Sequence, residues 1–161
     1  MRLLKLFVLL ATLATGAAAA ARADVGPPWG PETPNFNLEA VLRPTADNGF
    51  GLVKFRQPND ANKIVYLDVW VRDLLPNHTY YVQRAVDTTV DDHCSGSNWT
   101  MPTLGEIRTD DRGTGRADLS RDLPAAVQPG ARFDIHFRIA ETPTAMSGVL
   151  ESGCYQYTVS Q

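Results

Sequence analysis

Asp87, Asp91, Asp92 and His93 crowd the stretch VDTTVDDHCSGSNW, with Cys94 beside them. Carboxylate oxygens and an imidazole make a donor set for a divalent metal. The spacing opposes that chemistry. Asp91, Asp92 and His93 are consecutive, so one loop does not turn all three toward a point, and a disulfide-bonded Cys94 cannot ligate. Two readings follow. One is a metal-binding loop built on Asp91, Asp92 and His93, helped by His78 or His136. The other is a solvated acidic loop tethered by Cys94 to the last strand. The second is preferred and no cofactor is expected; the first is kept as the alternative.

Nucleophilic chemistry has less to stand on. No serine lies in a G-x-S-x-G elbow, and CSGSNW does not reproduce one. A carboxylate pair for glycoside cleavage cannot be named either. With no catalytic residue to name, the reading is of a protein that is not an enzyme, an enzyme of unrecognised type being the third reading. The stretch IRTDDRGTGRADL invites a calcium loop, but Asp110 and Asp111 are adjacent, Arg112 follows them, and no Glu closes the loop. Asp and Gly at these positions suit a hairpin turn over Asp110–Gly113 between a strand at 105–109 and another at 114–120.

A third set is aromatic. In NKIVYLDVWVRDL, residues Val65, Leu67, Val69 and Val71 share one face, which places Tyr66 and Trp70 on the other beside Asp68 and Arg72. Two rings four residues apart on one strand stand roughly 13 Å apart on the same sheet face. Such a pair serves carbohydrate-binding or protein-binding surfaces. The alternatives are an arm carrying Trp29 that covers both rings, or an inverted facing with Trp70 in the core.

The elements that must hold these residues are short strands. Leu38, Ala40 and Leu42 alternate, as do Phe133, Ile135, Phe137 and Ile139, and Tyr155, Tyr157 and Val159. Tyr80, Val82 and Val86 share a face that Arg84 interrupts. A period of two marks half-buried antiparallel strands, and PTADNG, QPNDAN, LPNH and QPGA separate them as turns. About seven to eight such strands predict an all-β, antiparallel two-sheet sandwich of immunoglobulin-like type. A closed barrel is less favoured because the loop lengths are irregular.

Leu74, Pro76 and Tyr80 stand in the order L-x-P-x-x-x-Y within DLLPNHTYYVQ. This resembles the corner of fibronectin type III and related immunoglobulin-like sandwiches. The resemblance implies a leucine plugging the core and a tyrosine hydroxyl bonded to the preceding turn's backbone. GLVKFRQ, VYLDVWVRDLLPN and the later Cys-containing acidic loop also resemble copper/zinc superoxide dismutase-like sandwiches, whose strand here would carry a His-x-His pair. This chain has His78 and then Tyr80, and three histidines in all. The resemblance therefore implies the sandwich without the dismutase metal ligands.

The N-terminus reads as a signal peptide over residues 1–23. Arg2 and Lys5 precede an apolar run, and Ala21-Arg22-Ala23 forms a small-x-small cleavage site. Residues 24–35, rich in Pro and Gly, form an extended arm, and 36–161 form one domain. The 161-residue chain carries a net charge of −3, and losing the basic signal makes it more acidic. An acidic surface gives no electrostatic reason to seek nucleic acid, and no segment of the mature chain suits a membrane span. Cys94 and Cys154 are the two cysteines, and in an oxidising compartment they predict a disulfide. NHT at Asn77 and NWT at Asn98 match glycosylation sequons. The combined expectation is a secreted or periplasmic protein with a non-catalytic binding or structural role. Its partner would be a protein, a glycan or an envelope component.

Overall fold

The computed structural model describes residues 37–46, 48–58, 62–95 and 100–160. The expected signal peptide, the arm with Trp29, and Asn98 lie outside these residues. The alternating sequence becomes nine described strands: β1 Asn37–Pro44, β2 Phe50–Arg56, β3 Ile64–Arg72, β4 Thr79–Asp87, β5 Thr103–Arg108, β6 Gly115–Asp122, β7 Arg132–Ala140, β8 Leu150–Ser152 and β9 Tyr155–Thr158. Among the described residues no helix is long and apolar enough to cross a membrane.

The sandwich expectation is wrong. All nine strands belong to one antiparallel sheet in the order β5-β4-β7-β8-β1-β2-β3-β6, with β9 continuing beside β7 below β8. That sheet curls until its two ends, β5 and β6, nearly meet, which makes an almost closed barrel. The reason is local. The turns after β3 and after β5 both cross the gap between the sheet's ends, and they are knitted together by backbone hydrogen bonds. Leu74 N donates to Gly113 O (3.2 Å), Asn77 N to Asp110 O (2.8 Å) and Thr109 N to His78 O (2.9 Å). Loop lengths elsewhere have no say in this, which is why they misled.

The predicted turn over Asp110–Gly113 is present. The Asp110 carboxylate accepts from Thr114 N and Arg112 N, both at 2.9 Å, and these donors, Thr114 first, hold its carboxyl below the usual carboxylate range. Its two strands do not form a continuous ladder, however. They share one bridge, Thr109 with Gly115, and then part, β5 to pair with β4 and β6 with β3. Along the seam Leu119 fills the space that Gly105 leaves by lacking a side chain.

The interior is filled by the residues the alternation marked. Leu38, Ala40, Leu42, Val65, Leu67, Val69, Val71, Ile135, Phe137 and Ile139 are buried, and Phe55 packs edge-on to Tyr157 with ring centres 4.6 Å apart. An eight-strand circuit leaves an interior of about the size side chains can fill. Tyr80 is buried, and its hydroxyl accepts Leu75 N–H at 3.1 Å. The expected tyrosine-to-turn bond therefore exists, inside a barrel. Burial dominates over that bond in raising the Tyr80 pKa.

Candidate functional site

Three regions carry the residues singled out in the sequence; the first lies on its own strands, and the second and third adjoin. The first is the outer face of β2, β3 and β6. The facing of β3 is as expected: Tyr66 and Trp70 are 38% and 37% exposed while Val69 and Val71 are fully buried. The inverted facing is thereby excluded. Register places Val41, Leu52, Trp70 and Arg116 in one row across four strands, and Arg56, Tyr66 and Ser120 in another. The rings are not bare. The Arg56 guanidinium lies over the Tyr66 ring at 5.9 Å and also pairs with Asp68 at 3.2 Å. The Phe50 ring meets Trp70 edge-on at 6.1 Å and carries the Arg72 guanidinium at 5.4 Å. Sequence alternation found Tyr66 and Trp70; it did not show that β2 would add Phe50 and Arg56.

The second region is the loop after β4. Asp91, Asp92 and His93 are exposed. Their backbone is fixed by carboxylates below: Asp91 N and Asp92 N both donate to Asp134 Oδ2, at 2.9 and 2.7 Å. Thr89 N and Ser95 N donate to the two oxygens of Asp87, at 2.9 and 3.1 Å. Asp91 Oδ1 in turn accepts His93 N at 3.1 Å. The disulfide is present between Cys94 and Cys154, 60 residues apart in sequence, and it ties the loop to the start of β9. Among the described residues no group of three or more His, Cys, Asp or Glu side chains is placed to hold a metal ion. His78 precedes β4 whereas Asp91 follows its end, a separation of roughly 30 Å along a nine-residue strand. It packs on Tyr80 with ring centres 4.6 Å apart.

No protein-family model matches this chain, and no curated protein matches it. What the chain does must therefore be argued from its own geometry.

The third region is the outer face of β4, β7 and β8, where the alternation misjudged burial. Asp134 and Arg138, which alternate with the inward Phe133, Ile135, Phe137 and Ile139, are nonetheless 0% and 7% exposed, and Gln83 is 0% exposed. The cause is cover: the loop after β4 and residues 141–149 fold over this face. Gln83 Nε2 reaches Pro143 O at 2.9 Å, and the Arg138 guanidinium takes Gln83 Oε1 (2.5 Å), Met146 O (2.8 Å) and Ala145 O. Arg138 is thus a staple for residues 145–146. Beside it His136 Nε2 lies 3.9 Å from Glu151 Oε2. Among the described residues Ser152, the serine next to Glu151, does not complete this pair: its Oγ accepts Phe137 N at 2.9 Å and donates to Gly153 O at 2.6 Å. Ser152 pairs with Leu42, whose side chain is in the core, so its side chain faces the opposite side of the sheet from Glu151. Two clefts, one of about 450 Å³ beside Tyr80 and Glu141 and one of about 340 Å³ beside Arg138, also lack a paired base and nucleophile in their linings.

Burial lowers the His136 pKa below its usual value; Glu151 and a backbone bond at Gly153 oppose this, and Arg138 adds to it. A pH effect on stability follows with a definite sign. Above pH about 6.5 the imidazole is neutral in both states. As pH falls below that value the unfolded chain takes up the proton first, so stability is lost until the folded pKa is passed. The expected result is a fall in the urea midpoint of the wild type between pH 7.5 and 5. In His136→Gln that part of the fall should disappear. Parallel profiles for the two proteins would contradict it.

Proposed function

We propose that the protein is a non-catalytic binding domain of an exported, oxidising compartment, and that it grips a partner protein with the outer face of β2, β3 and β6. The observation that carries the reading is the strip of Tyr66, Trp70 and Phe50 with Arg56 and Arg72 laid on its rings. Large aromatics and arginine are the side chains that concentrate binding energy at protein interfaces, and exposed rings packed against each other lose little freedom on binding. A flat sugar platform requires an unobstructed ring face, and one face of Tyr66 already holds a guanidinium. That favours a protein over a glycan. Asp68 pairs with Arg56 (3.2 Å) and Asp118 with Arg116 (3.4 Å), and at the edge on β1 Glu39 pairs with Lys54 (3.7 Å). The face therefore presents both signs of charge and suits an interface of mixed charge. The disulfide and the signal-like first 23 residues support export.

The test places a photo-crosslinking amino acid at Asp118, on this face, or at Ser147, on the covered side, in cells that make the protein. A discrete protein adduct is expected from position 118 alone, and Trp70→Ala or Tyr66→Ala should reduce it at least about tenfold, the loss of one strong contact. Equal adducts from both positions, or an adduct indifferent to both substitutions, would refute the reading.

A further inference from the structure

Arg84 and Arg121 both border the end of the seam opposite the knitted turns, from β4 and from β6. In β4, Arg84 pairs with Phe137 and lies on the inward set with Tyr80 and Val82. In β6, Arg121 pairs with Val65, another inward position. The two converge on the same stretch of β5. Arg84 N donates to Pro102 O at 3.3 Å. Arg121 Nη2 crosses the seam to Thr103 O and Leu104 O, both at 3.3 Å.

The Arg84 guanidinium differs from those that are satisfied by acceptors or acids. Arg138 has three acceptors, and Arg56, Arg72 and Arg116 each have a carboxylate. The Arg84 side chain has no hydrogen bond among the described residues, and its Nε is buried without a partner. Neither Arg84 nor Arg121 has an acid within ion-pair distance there; the nearest candidates by sequence are otherwise placed. Asp122 is exposed on the outward set of β6, and the Asp87 carboxylate holds Thr89 N and Ser95 N. Desolvation, then the charge of Arg121, lowers the Arg84 pKa. Lys63, the residue before β3, adds a third cation at this end and directs its ammonium to Val127 O at 3.2 Å.

We propose that the Arg84–Arg121 pair at this end of the barrel binds a tetrahedral oxyanion, inorganic phosphate or the phosphate of a monoester. A desolvated guanidinium without an acceptor, beside a second one, is an arrangement that an anion completes: several N–H donors remain for its oxygens, and two positive charges suit a dianion better than a carboxylate. Arg121, exposed at the rim, gives the anion its route from solvent. This site is on a different part of the barrel from the aromatic strip and does not depend on the partner-binding reading.

The experiment is thermal unfolding of the full chain in chloride buffer, with inorganic phosphate or glycerol 1-phosphate added at constant ionic strength. A saturable rise of the midpoint with phosphate is expected. A larger rise with the monoester assigns the site to a phosphorylated ligand, and a smaller one assigns it to the free ion. Arg84→Met should raise the midpoint in chloride, because it removes a half-buried charge that has no acceptor, and it should abolish the phosphate response. Arg121→Gln, a substitution at an exposed position, should abolish the response with little effect in chloride. Three results would overturn the proposal: no saturable response in the wild type, a response that survives Arg121→Gln, or an Arg84→Met protein that folds with a lower midpoint in chloride.

Discussion

Gly113→Ala is expected to lower the stability of the barrel by about 3–4 kcal/mol, whereas Gly130→Ala costs only about 1–2 kcal/mol. Both glycines have positive φ, 74° and 80°, so alanine at either position meets the left-handed penalty of roughly 1–2 kcal/mol. They differ in what surrounds them. A Cβ on Gly113 would sit 2.1 Å from the Leu74 carbonyl oxygen, while one on Gly130 would have nothing within 4 Å. Backbone cannot be displaced there without prising apart the two turns that cross the seam. The bonds at stake are Leu74 N to Gly113 O and Asn77 N to Asp110 O, each worth about 1 kcal/mol. Thermal unfolding followed by circular dichroism should show a fall of roughly 10–20 °C for Gly113→Ala. Equal falls for the two variants would mean that the turn contact does not hold the seam.

That contact also explains how far the fold could be read from the chain. Alternation in β3 and β7 marks which side chains enter the core, because the pleat fixes facing residue by residue. Tyr80 could be placed because its partner, Leu75, is five residues away. Sandwich and barrel, however, are built from the same amphipathic strands. They differ in whether the end strands meet, and here that depends on Gly113 touching Leu74, a contact no periodicity reports. The covered face shows the same gap. Asp134 and Arg138 alternate with apolar neighbours as exposed residues would, and only the two segments lying over β7 bury them. The Tyr66 and Trp70 side chains were legible because β3 is covered on one side alone among the described residues. Arg84 was visible as an interruption of an inward face, and its lack of an acceptor could emerge only from the packed structure.

The second large effect belongs to the disulfide. Replacing Cys94 and Cys154 by serine together is expected to cost about 4 kcal/mol, the chain-entropy value for a closed loop of this size; the bonded residues are 60 apart. Two different losses could follow. Either the whole domain becomes less stable, or the loop after β4 lifts off while the barrel persists. The geometry decides for the first. Four backbone N–H groups, of Thr89, Asp91, Asp92 and Ser95, are held by the carboxylates of Asp87 and Asp134. Bonds to charged acceptors are worth about 1.5–3 kcal/mol each, so they keep the loop seated after the covalent tether is gone. Hydrogen exchange should therefore show the amides of Asp91 and Asp92 losing protection in the double-serine variant only to the extent that core amides such as that of Ile135 do. Asp134→Ala, with the disulfide intact, should do the reverse, exposing those two amides while the core amides keep most of their protection. If the serine variant bares Asp91 and Asp92 and spares the core, the tether rather than Asp134 seats the loop. A loss of about 4 kcal/mol is a large share of the 5–15 kcal/mol by which domains are stable. In a reducing compartment that share would be withdrawn.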